Sequence, residues 1–181
     1  MSSNENKLEK YGFAAKSPAY LTDIGFDPYK KIGRDWFLVT AGTEQGYNTM
    51  TASWGFAGVM WNKNTFTTVI RPQRYTKKFI DKADSFTVCF FDESERSALS
   101  FCGSHSGRDC DKAAETGLTP VFFDDVTAFE QARLIIVCDK TYVQTMSGEG
   151  FKDKDLDSAN YAAGDYHTQY IGIIKKVYVR E

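Results

Sequence analysis

The sequence predicts a mainly β domain of barrel type with a few short helices. Segments rich in aromatic and β-branched residues recur along most of its 181 residues, separated by turns that contain Gly, Asn or Asp. Only two or three stretches have helical features, and each of them is short. Many short strands with turn signals between them favour a closed barrel over a sheet built from β-α-β units.

The strand candidates follow one another at short intervals. The first firm candidate, residues 35–43 (DWFLVTAGT), leads into a turn at residues 44–47. Gly55 interrupts the β-rich stretch that follows, and a glycine inside a strand often marks a bulge or a close approach of another backbone. The remaining candidates are residues 49–53, 55–61, 65–70, 85–91, 134–144 and 166–179.

Two stretches carry the signals of short helices. Residues 77–83 have one apolar face, and Thr76 before them is the predicted N-cap. Residues 94–102 follow Asp92 in a capping-box pattern, and Gly103 is predicted to end that helix.

The polar stretches are predicted to lie on the surface. Residues 104–109 (SHSGRD) form a loop, and a third short helix runs from about residue 110 to Gly117. Residues 147–165 are polar and contain glycine, so we predict a long surface loop with at most a helical turn.

Length and charge bound the class of protein. A chain of this size predicts one domain, residues 35–181, with residues 1–34 as an N-terminal arm packed on it. Lys and Arg number 22 against 24 Asp and Glu, which gives no electrostatic footprint for nucleic acid or an anionic membrane. No apolar run approaches the roughly 20 residues of a membrane helix. Because the first residues are also polar, we expect a cytoplasmic protein.

Several common sites are not indicated. The cysteines Cys89, Cys102, Cys110 and Cys138 form no CxxC pair and are expected to be reduced. Cys102, His105 and Cys110 lie close in sequence, but structural zinc takes four ligands, so we predict no metal site. GxSxG and GxGxxG are both absent, which argues against a serine hydrolase and a resident dinucleotide on a Rossmann unit.

The segment RPQRYT, residues 71–76, is a candidate phosphate site. Helix N-termini bind phosphates readily, and arginines beside them add charge-assisted hydrogen bonds. An exposed basic loop with an ordinary threonine cap is the alternative. The residues alone favour that alternative, because surface arginines are common.

Two further segments could contribute to the same site. Residues 104–112 offer hydroxyl, glycine and basic groups, although the spacing of a P-loop is absent. Residues 48–54 offer strand-edge N–H and C=O groups beside Trp54, which suits a flat heterocycle. The alternative for Trp54 is that it fills the core.

The order and spacing of these segments resemble those of a known family. NTMTASW at residues 48–54, RPQRYT at residues 71–76, SGRD at residues 106–109 followed by Lys112, and YIG at residues 170–172 closely resemble the flavin reductase-like family of FMN-binding split-barrel proteins, flavoredoxin included. The resemblance covers roughly residues 35–179.

The resemblance implies a six-stranded Greek-key split barrel with flanking short helices, assembled as a homodimer with FMN near the subunit interface. It also implies three groups of FMN-binding residues and one histidine near the flavin. The isoalloxazine ring would lie against Asn48, Thr49, Met50, Thr51, Ala52, Ser53 and Trp54. The phosphate would be surrounded by Arg71, Arg74, Tyr75 and Thr76. The neighbouring wall would be Ser106, Arg108 and Lys112, with Lys112 reaching towards the polar edge of the ring. The histidine would be His167.

The function that follows from the resemblance is an FMN-binding oxidoreductase of flavin reductase type. It would transfer hydride from NADH or NADPH, a transient substrate, to flavin and pass electrons to an acceptor. Such chemistry belongs to the cofactor, so no catalytic side chain is assigned. One alternative is a flavoredoxin-type electron-transfer flavoprotein reduced by a protein partner, and another is a non-enzymatic flavin-binding module. Residues 147–165 could gate access to the ring.

Overall fold

The structure, a computed structural model, describes residues 6–181. Ten antiparallel strands and six short helices make up its regular structure. The strands are β1 (Phe13–Lys16), β2 (Phe37–Thr43), β3 (Gly46–Ala52), β4 (Gly55–Met60), β5 (Lys63–Ile70), β6 (Ser85–Phe90), β7 (Pro120–Phe123), β8 (Val126–Phe129), β9 (Leu134–Thr145) and β10 (Thr168–Arg180). The helices are α1 (Tyr20–Asp23), α2 (Pro28–Lys30), α3 (Thr76–Lys82), α4 (Arg96–Ser104), α5 (Lys112–Thr116) and α6 (Lys154–Tyr161). Single turns of 3-10 helix cover Glu9–Tyr11, Glu93–Glu95 and Gly148–Gly150, and a π-turn covers Lys31–Asp35. None of the helices in residues 6–181 has the length and apolarity needed to cross a bilayer.

The main sheet forms a split barrel. Its strand order is β3-β2-β6-β9-β10-β5-β4, and β7 and β8 pair separately as a hairpin. The two edge strands, β3 and β4, are consecutive in the chain and are joined by Ser53 and Trp54. The split of the barrel therefore lies at the segment that the sequence assigns to a ring ligand.

The predicted fold class is confirmed, but the strand number was wrong. The main sheet has eight strands rather than six. One of the additional strands is β1, which comes from the N-terminal segment and pairs with β10 from Phe13↔Arg180 to Lys16↔Val177. Residues 1–5 of the predicted arm lie outside the described residues.

Two hydrophobic cores hold the strands together. The barrel interior contains aliphatic side chains and aromatic rings, and some of the rings meet edge to face, such as Phe37 and Phe66 with centroids 5.3 Å apart. The second core lies between the sheet, α4 and the β7–β8 hairpin. Gly55 has φ +156°, and a Cβ there would collide with the carbonyl oxygen of Thr67. The predicted close backbone approach at Gly55 is thus confirmed.

Two predicted helix boundaries were wrong. Thr76 is the first residue of α3 rather than its N-cap, and the N-cap residue Tyr75 makes no side-chain cap bond. Helix α4 continues past Gly103 to Ser104, and Asp92 does not cap it, because a 3-10 turn intervenes. In both places a tight turn before the helix replaces the side-chain cap.

The segment of residues 147–165 is more ordered than the predicted loop. It contains the 3-10 turn and α6, whose N-cap Asp153 accepts from the N–H groups of Asp155 and Leu156. Tyr161 at the end of α6 is buried. A cap at one end and a buried aromatic at the other stabilise a helix of polar composition.

Candidate functional site

Three segments that are distant in sequence meet at Asn48. The Asn48 side chain is buried, and its Nδ2 donates to Oγ1 of Thr76 at 2.7 Å, which joins β3 to the start of α3. The loop after α4 closes over the same side chain, and a Cβ on Gly107 would collide with Oδ1 of Asn48. Because Thr76 accepts this bond, its own hydroxyl proton remains available for a ligand.

Lys112 is held under this junction. Only 5% of it is exposed, and its Nζ donates to the carbonyl oxygens of Thr49 at 2.9 Å and Cys102 at 2.8 Å. Burial, and then the neighbouring Arg74, lower the pKa of Lys112 to about 8. An ammonium has three donors, so one remains for a ligand.

Two arginines flank Lys112. Arg74 donates to the carbonyl oxygen of Gly103 at 2.7 Å, near the end of α4, and burial lowers its pKa. Arg108 lies over the Tyr75 ring at 4.8 Å and donates to the carbonyl oxygen of Gln73 at 3.2 Å. In residues 6–181 neither arginine nor Lys112 forms an ion pair with a carboxylate. These cations are held by uncharged groups, which leaves their charge available for an anion.

We call this region the basic end and define it by Arg74, Tyr75, Thr76, Ser106, Arg108 and Lys112. All six line a cavity of about 120 Å³, together with Gln73, Ser104 and His105. Arg108 and Lys112 also line a neighbouring cavity of about 530 Å³ at the start of β3. The N–H groups of Lys77 and Lys78 already donate to the carbonyls of Arg74 and Tyr75. Side chains, rather than the first turn of α3, therefore carry the capacity of this end to bind a phosphate.

Of residues 49–52, only Thr49 lines one of these cavities, the larger one. Met50 and Ala52 belong to the barrel core. The hydroxyl of Thr49 bonds that of Thr40 at 2.8 Å, and the hydroxyl of Thr51 donates to the carbonyl of Leu99. Because β3 is an edge strand, its unpaired backbone groups are what these residues can offer a ligand.

Trp54 lies at the other end of β3, in the split of the barrel. It is 48% exposed, so the alternative that it fills the core is wrong. Ser53 and Trp54 border a cavity of about 440 Å³ between β4 and α2. The Trp54 ring also contacts His167, with centroids 5.2 Å apart.

His167 is enclosed at the start of β10. It is 8% exposed, and its Nδ1 lies 2.8 Å from the hydroxyl of Tyr161 in α6. Burial, and then the charge of Arg71, lower the pKa of His167 to about 4. The imidazole is consequently neutral at physiological pH.

Arg71 is placed differently from the other predicted phosphate ligands. Its guanidinium donates to Oδ2 of Asp165 at 2.5 Å and to the carbonyl oxygen of Asn160 at 2.9 Å, and it lies 5.1 Å from the centre of the Tyr161 ring. Hydrogen bonds from Gln73 and Arg71 lower the pKa of Asp165. Arg71 lines neither cavity of the basic end. We call Trp54, Arg71, Tyr161, Asp165 and His167 the aromatic end.

Sequence reasoning did not single out Tyr161 or Asp165. Both lie in the segment of residues 147–165 that was predicted as a loop. The sequence did contain a signal for helix α6: Asp153 precedes residues that can form a helix, and aspartate is a favoured N-cap. His105, which the family pattern did not explain, stacks on Phe101 with centroids 3.9 Å apart. No group of three or more His, Cys, Asp or Glu side chains in residues 6–181 is placed to hold a metal ion.

Comparison with solved structures identifies similar folds. An FMN-binding protein from Thermus thermophilus with bound 1-cyclohex-2-enone is 23% identical, with a TM-score of 0.63 over 80% of this chain and 70% of that one. Flavoredoxin of Desulfovibrio vulgaris (Miyazaki F) is 23% identical, with a TM-score of 0.63 over 81% and 69% of the two chains. Nitrilotriacetate monooxygenase component B from Bacillus cereus is 17% identical, with a TM-score of 0.64 over 100% and 80%. At these identities the likeness shows the fold alone.

Sequence comparison assigns the family. A search of curated proteins returns no match. The family model described as the flavin reductase like domain matches residues 29–181, a range that contains both ends of the site. The chain therefore belongs to the flavin reductase-like family.

Proposed function

We propose that this protein binds FMN and is an oxidoreductase of flavin reductase type, which takes hydride from NADH or NADPH and passes electrons to an acceptor. The observation that carries the proposal is the convergence at Asn48 of three segments that supply hydroxyl and basic groups. In a member of the flavin reductase-like family these groups suit FMN, because FMN has an anionic phosphate and a flat polar ring.

The residues present fit the two parts of FMN. Thr76 and Ser106 offer hydroxyls to a phosphate, and Arg108 and Lys112 offer positive charge that no carboxylate of residues 6–181 pairs with. The backbone of β3 along the edge that pairs with no other strand of residues 6–181, and the exposed face of Trp54, suit the ring. When bound, FMN supplies the two-electron redox chemistry.

The tasks left to the protein are binding, orientation and exclusion of water. The basic end fixes the phosphate by charge-assisted hydrogen bonds, and the edge of β3 orients the ring. His167 is neutral and has one ring nitrogen without a hydrogen bond in residues 6–181, so it can donate or accept one bond without adding charge. No paired carboxylates are required, since hydride transfer does not depend on a strong acid or base from the protein.

Exposed apolar side chains lie on β4 and in the turn that follows it. Phe56, Val59 and Trp61 are 48%, 74% and 51% exposed, and they adjoin the unpaired edge of the sheet. Exposed apolar patches of this kind commonly mark protein interfaces. We propose a homodimer through this surface. Val59→Asp should shift the sedimentation behaviour to that of a monomer, and an unchanged dimer would contradict the assignment of the surface.

An electron-transfer flavoprotein of flavoredoxin type is the second candidate. It is favoured by the similarity of the fold to flavoredoxin of Desulfovibrio vulgaris. Such a protein would bind FMN but receive electrons from a protein partner rather than from a nicotinamide.

Two measurements separate these functions. Purified protein supplied with FMN should retain it through gel filtration and show a flavin absorption spectrum; failure to bind would contradict both candidates. NADH or NADPH, added anaerobically, should then bleach the flavin absorbance within seconds. Binding without bleaching by either nucleotide would contradict the reductase and favour the electron-transfer protein. Binding with no reduction by either nucleotide or by reduced redox proteins would favour a non-enzymatic module.

A further inference from the structure

We propose that Tyr161 is a positioning residue: its hydroxyl donates to Nδ1 of His167 and keeps the imidazole proton on Nε2, where it can bond an acceptor atom of the ligand. The contacts that support this role do not depend on the proposed flavin function, but the purpose of the role does. Arg71 holds Tyr161 in place and is thereby assigned to the aromatic end rather than to the phosphate.

The direction of the Tyr161–His167 bond follows from the chemistry of the two groups. The oxygen and Nδ1 are 2.8 Å apart, so one of them donates. A phenol hydroxyl is a good donor, and an unprotonated imidazole nitrogen is a good acceptor. The other group near the hydroxyl is the thioether sulfur of Met146 at 3.8 Å, which is a weak acceptor. The proton of the hydroxyl therefore goes to Nδ1, and the imidazole carries its own proton on Nε2.

The second nitrogen of His167 is open. In residues 6–181, Nε2 makes no hydrogen bond. The side-chain polar atoms that are fully buried and lack a partner are the hydroxyls of Thr67 and Thr68, and Nε2 is not one of them. It therefore reaches solvent although the residue is mostly buried. Since the His167 ring also contacts the exposed Trp54, this donor lies at the end of β3 suited to a flat ring. An acceptor such as a ring carbonyl oxygen is the group it would bind.

The bond is held by contacts that Arg71 makes with α6. Its guanidinium bonds Asp165 and the carbonyl of Asn160 on either side of Tyr161 and covers the Tyr161 ring. The Tyr161 ring also stacks with Tyr166, with centroids 4.8 Å apart. Tyr161 is thus fixed from several directions, which is what a residue that sets a tautomer requires.

Nitrogen NMR of the two histidines tests the bond directly. In the wild type, long-range ¹H–¹⁵N spectra at neutral pH should show His167 with a protonated Nε2 and an unprotonated Nδ1. Tyr161→Phe should give a mixture of tautomers. Tyr166→Phe is the matched control, because it removes from the same cluster a hydroxyl that bonds Asp157 instead, and it should match the wild type. A protonated Nδ1 in the wild type, or an unchanged tautomer in Tyr161→Phe, would overturn the proposal.

A second variant guards against loss of folding. Arg71→Ala leaves the Tyr161 hydroxyl in the chain but removes its support, and it should also give mixed tautomers. The spectrum of His105, which stacks on Phe101 in a different part of the fold, reports whether each variant is folded. If Tyr161→Phe does not fold, a wild-type tautomer in folded Arg71→Ala contradicts the role of the arginine and with it the proposal.

Kinetics test the purpose of the bond. Tyr161→Phe should slow flavin reduction at saturating nicotinamide and weaken FMN binding, each by up to about two- to tenfold, the value of one neutral hydrogen bond. Tyr166→Phe should leave both quantities at the wild-type level. An unchanged rate in Tyr161→Phe contradicts the positioning role. If the wild type fails to bind or reduce flavin, the proposed function is wrong, and the NMR result still decides the tautomer.

Discussion

The two ends of β3 hold their charged groups in opposite ways. At the basic end, Arg74, Arg108 and Lys112 are bound by main-chain carbonyls and have no carboxylate partner in residues 6–181. At the aromatic end, Arg71 is paired with Asp165, and His167 is neutral. The first end therefore presents positive charge, whereas the second presents a shaped and nearly uncharged surface. The family resemblance placed Arg71 and Arg74 together at the phosphate, and the structure gives them different partners, a carboxylate for Arg71 and a main-chain carbonyl for Arg74.

The largest expected effect is at the basic end. Lys112→Met removes the shorter hydrogen bond to each of the carbonyls of Thr49 and Cys102 and leaves only the longer ones from Asn48 and Arg74, so the free energy of unfolding should fall by about 2–4 kcal/mol. Urea denaturation of the apoprotein measures this. Lys175→Met, which removes only an exposed ion pair, is the control and should cost less than about 1 kcal/mol. Equal losses in the two variants would show that Lys112 is not part of the framework.

The next effect concerns the phosphate. Thr76→Val removes a hydroxyl that lines the small basic cavity, and FMN affinity should fall about ten- to a hundredfold, the value of a hydrogen bond to a charged group. Isothermal titration calorimetry measures it. Thr141→Val removes a hydroxyl bonded to Asp139 on the surface and should bind FMN as the wild type does. If Thr76→Val binds FMN normally, the phosphate is not at the basic end.

The aromatic end should respond to pH. The pKa of His167 is about 4 in the folded state against about 6.5 in the unfolded chain, so the unfolded chain takes up a proton first as the pH falls. The contribution of His167 to the free energy of unfolding is therefore fully present above about pH 6.5 and is lost between about pH 6.5 and 4. We expect a loss of about 1–2 kcal/mol, because solvent at the open side of the ring screens part of the effect. Thermal unfolding of the wild type and His167→Gln measures it: the difference between them should change over this range, and a constant difference would contradict a neutral His167.

The smallest effect is on the helix that supports the aromatic end. Asp153→Ala removes the N-cap of α6 and should destabilise that helix by about 1 kcal/mol, seen as faster amide exchange in residues 154–161. Asp155→Ala, inside the helix, is the control. FMN affinity should change little in either variant, since we propose that the phosphate binds at the basic end. A large loss of affinity in Asp153→Ala would mean that the two ends are not separate.

The basic end was largely predictable from sequence because its components are local. Residues 71–76 and 104–112 are each short motifs, and the family resemblance implied that they meet residues 48–54. The aromatic end was not predictable from sequence, because Arg71 and Asp165 are far apart in the chain and nothing in the local sequence pattern pairs them. Helix α6 was missed for a related reason. Its composition is polar, and its stability comes from the Asp153 cap and the burial of Tyr161 rather than from an apolar face.

The pairing of β1 with β10 has a consequence for how the molecule folds. Phe13 aligns with Arg180, so two strands from distant parts of the chain must find each other before the sheet is complete. Closing such long loops costs entropy that later contacts repay, and proteins dominated by distant pairings fold slowly. During synthesis on the ribosome, β5 and β9 are made before β10, and their edges stay unprotected until β10 emerges to lie between them. Because unpaired strand edges promote aggregation, we expect the nascent chain to be vulnerable until β10 has paired with both strands.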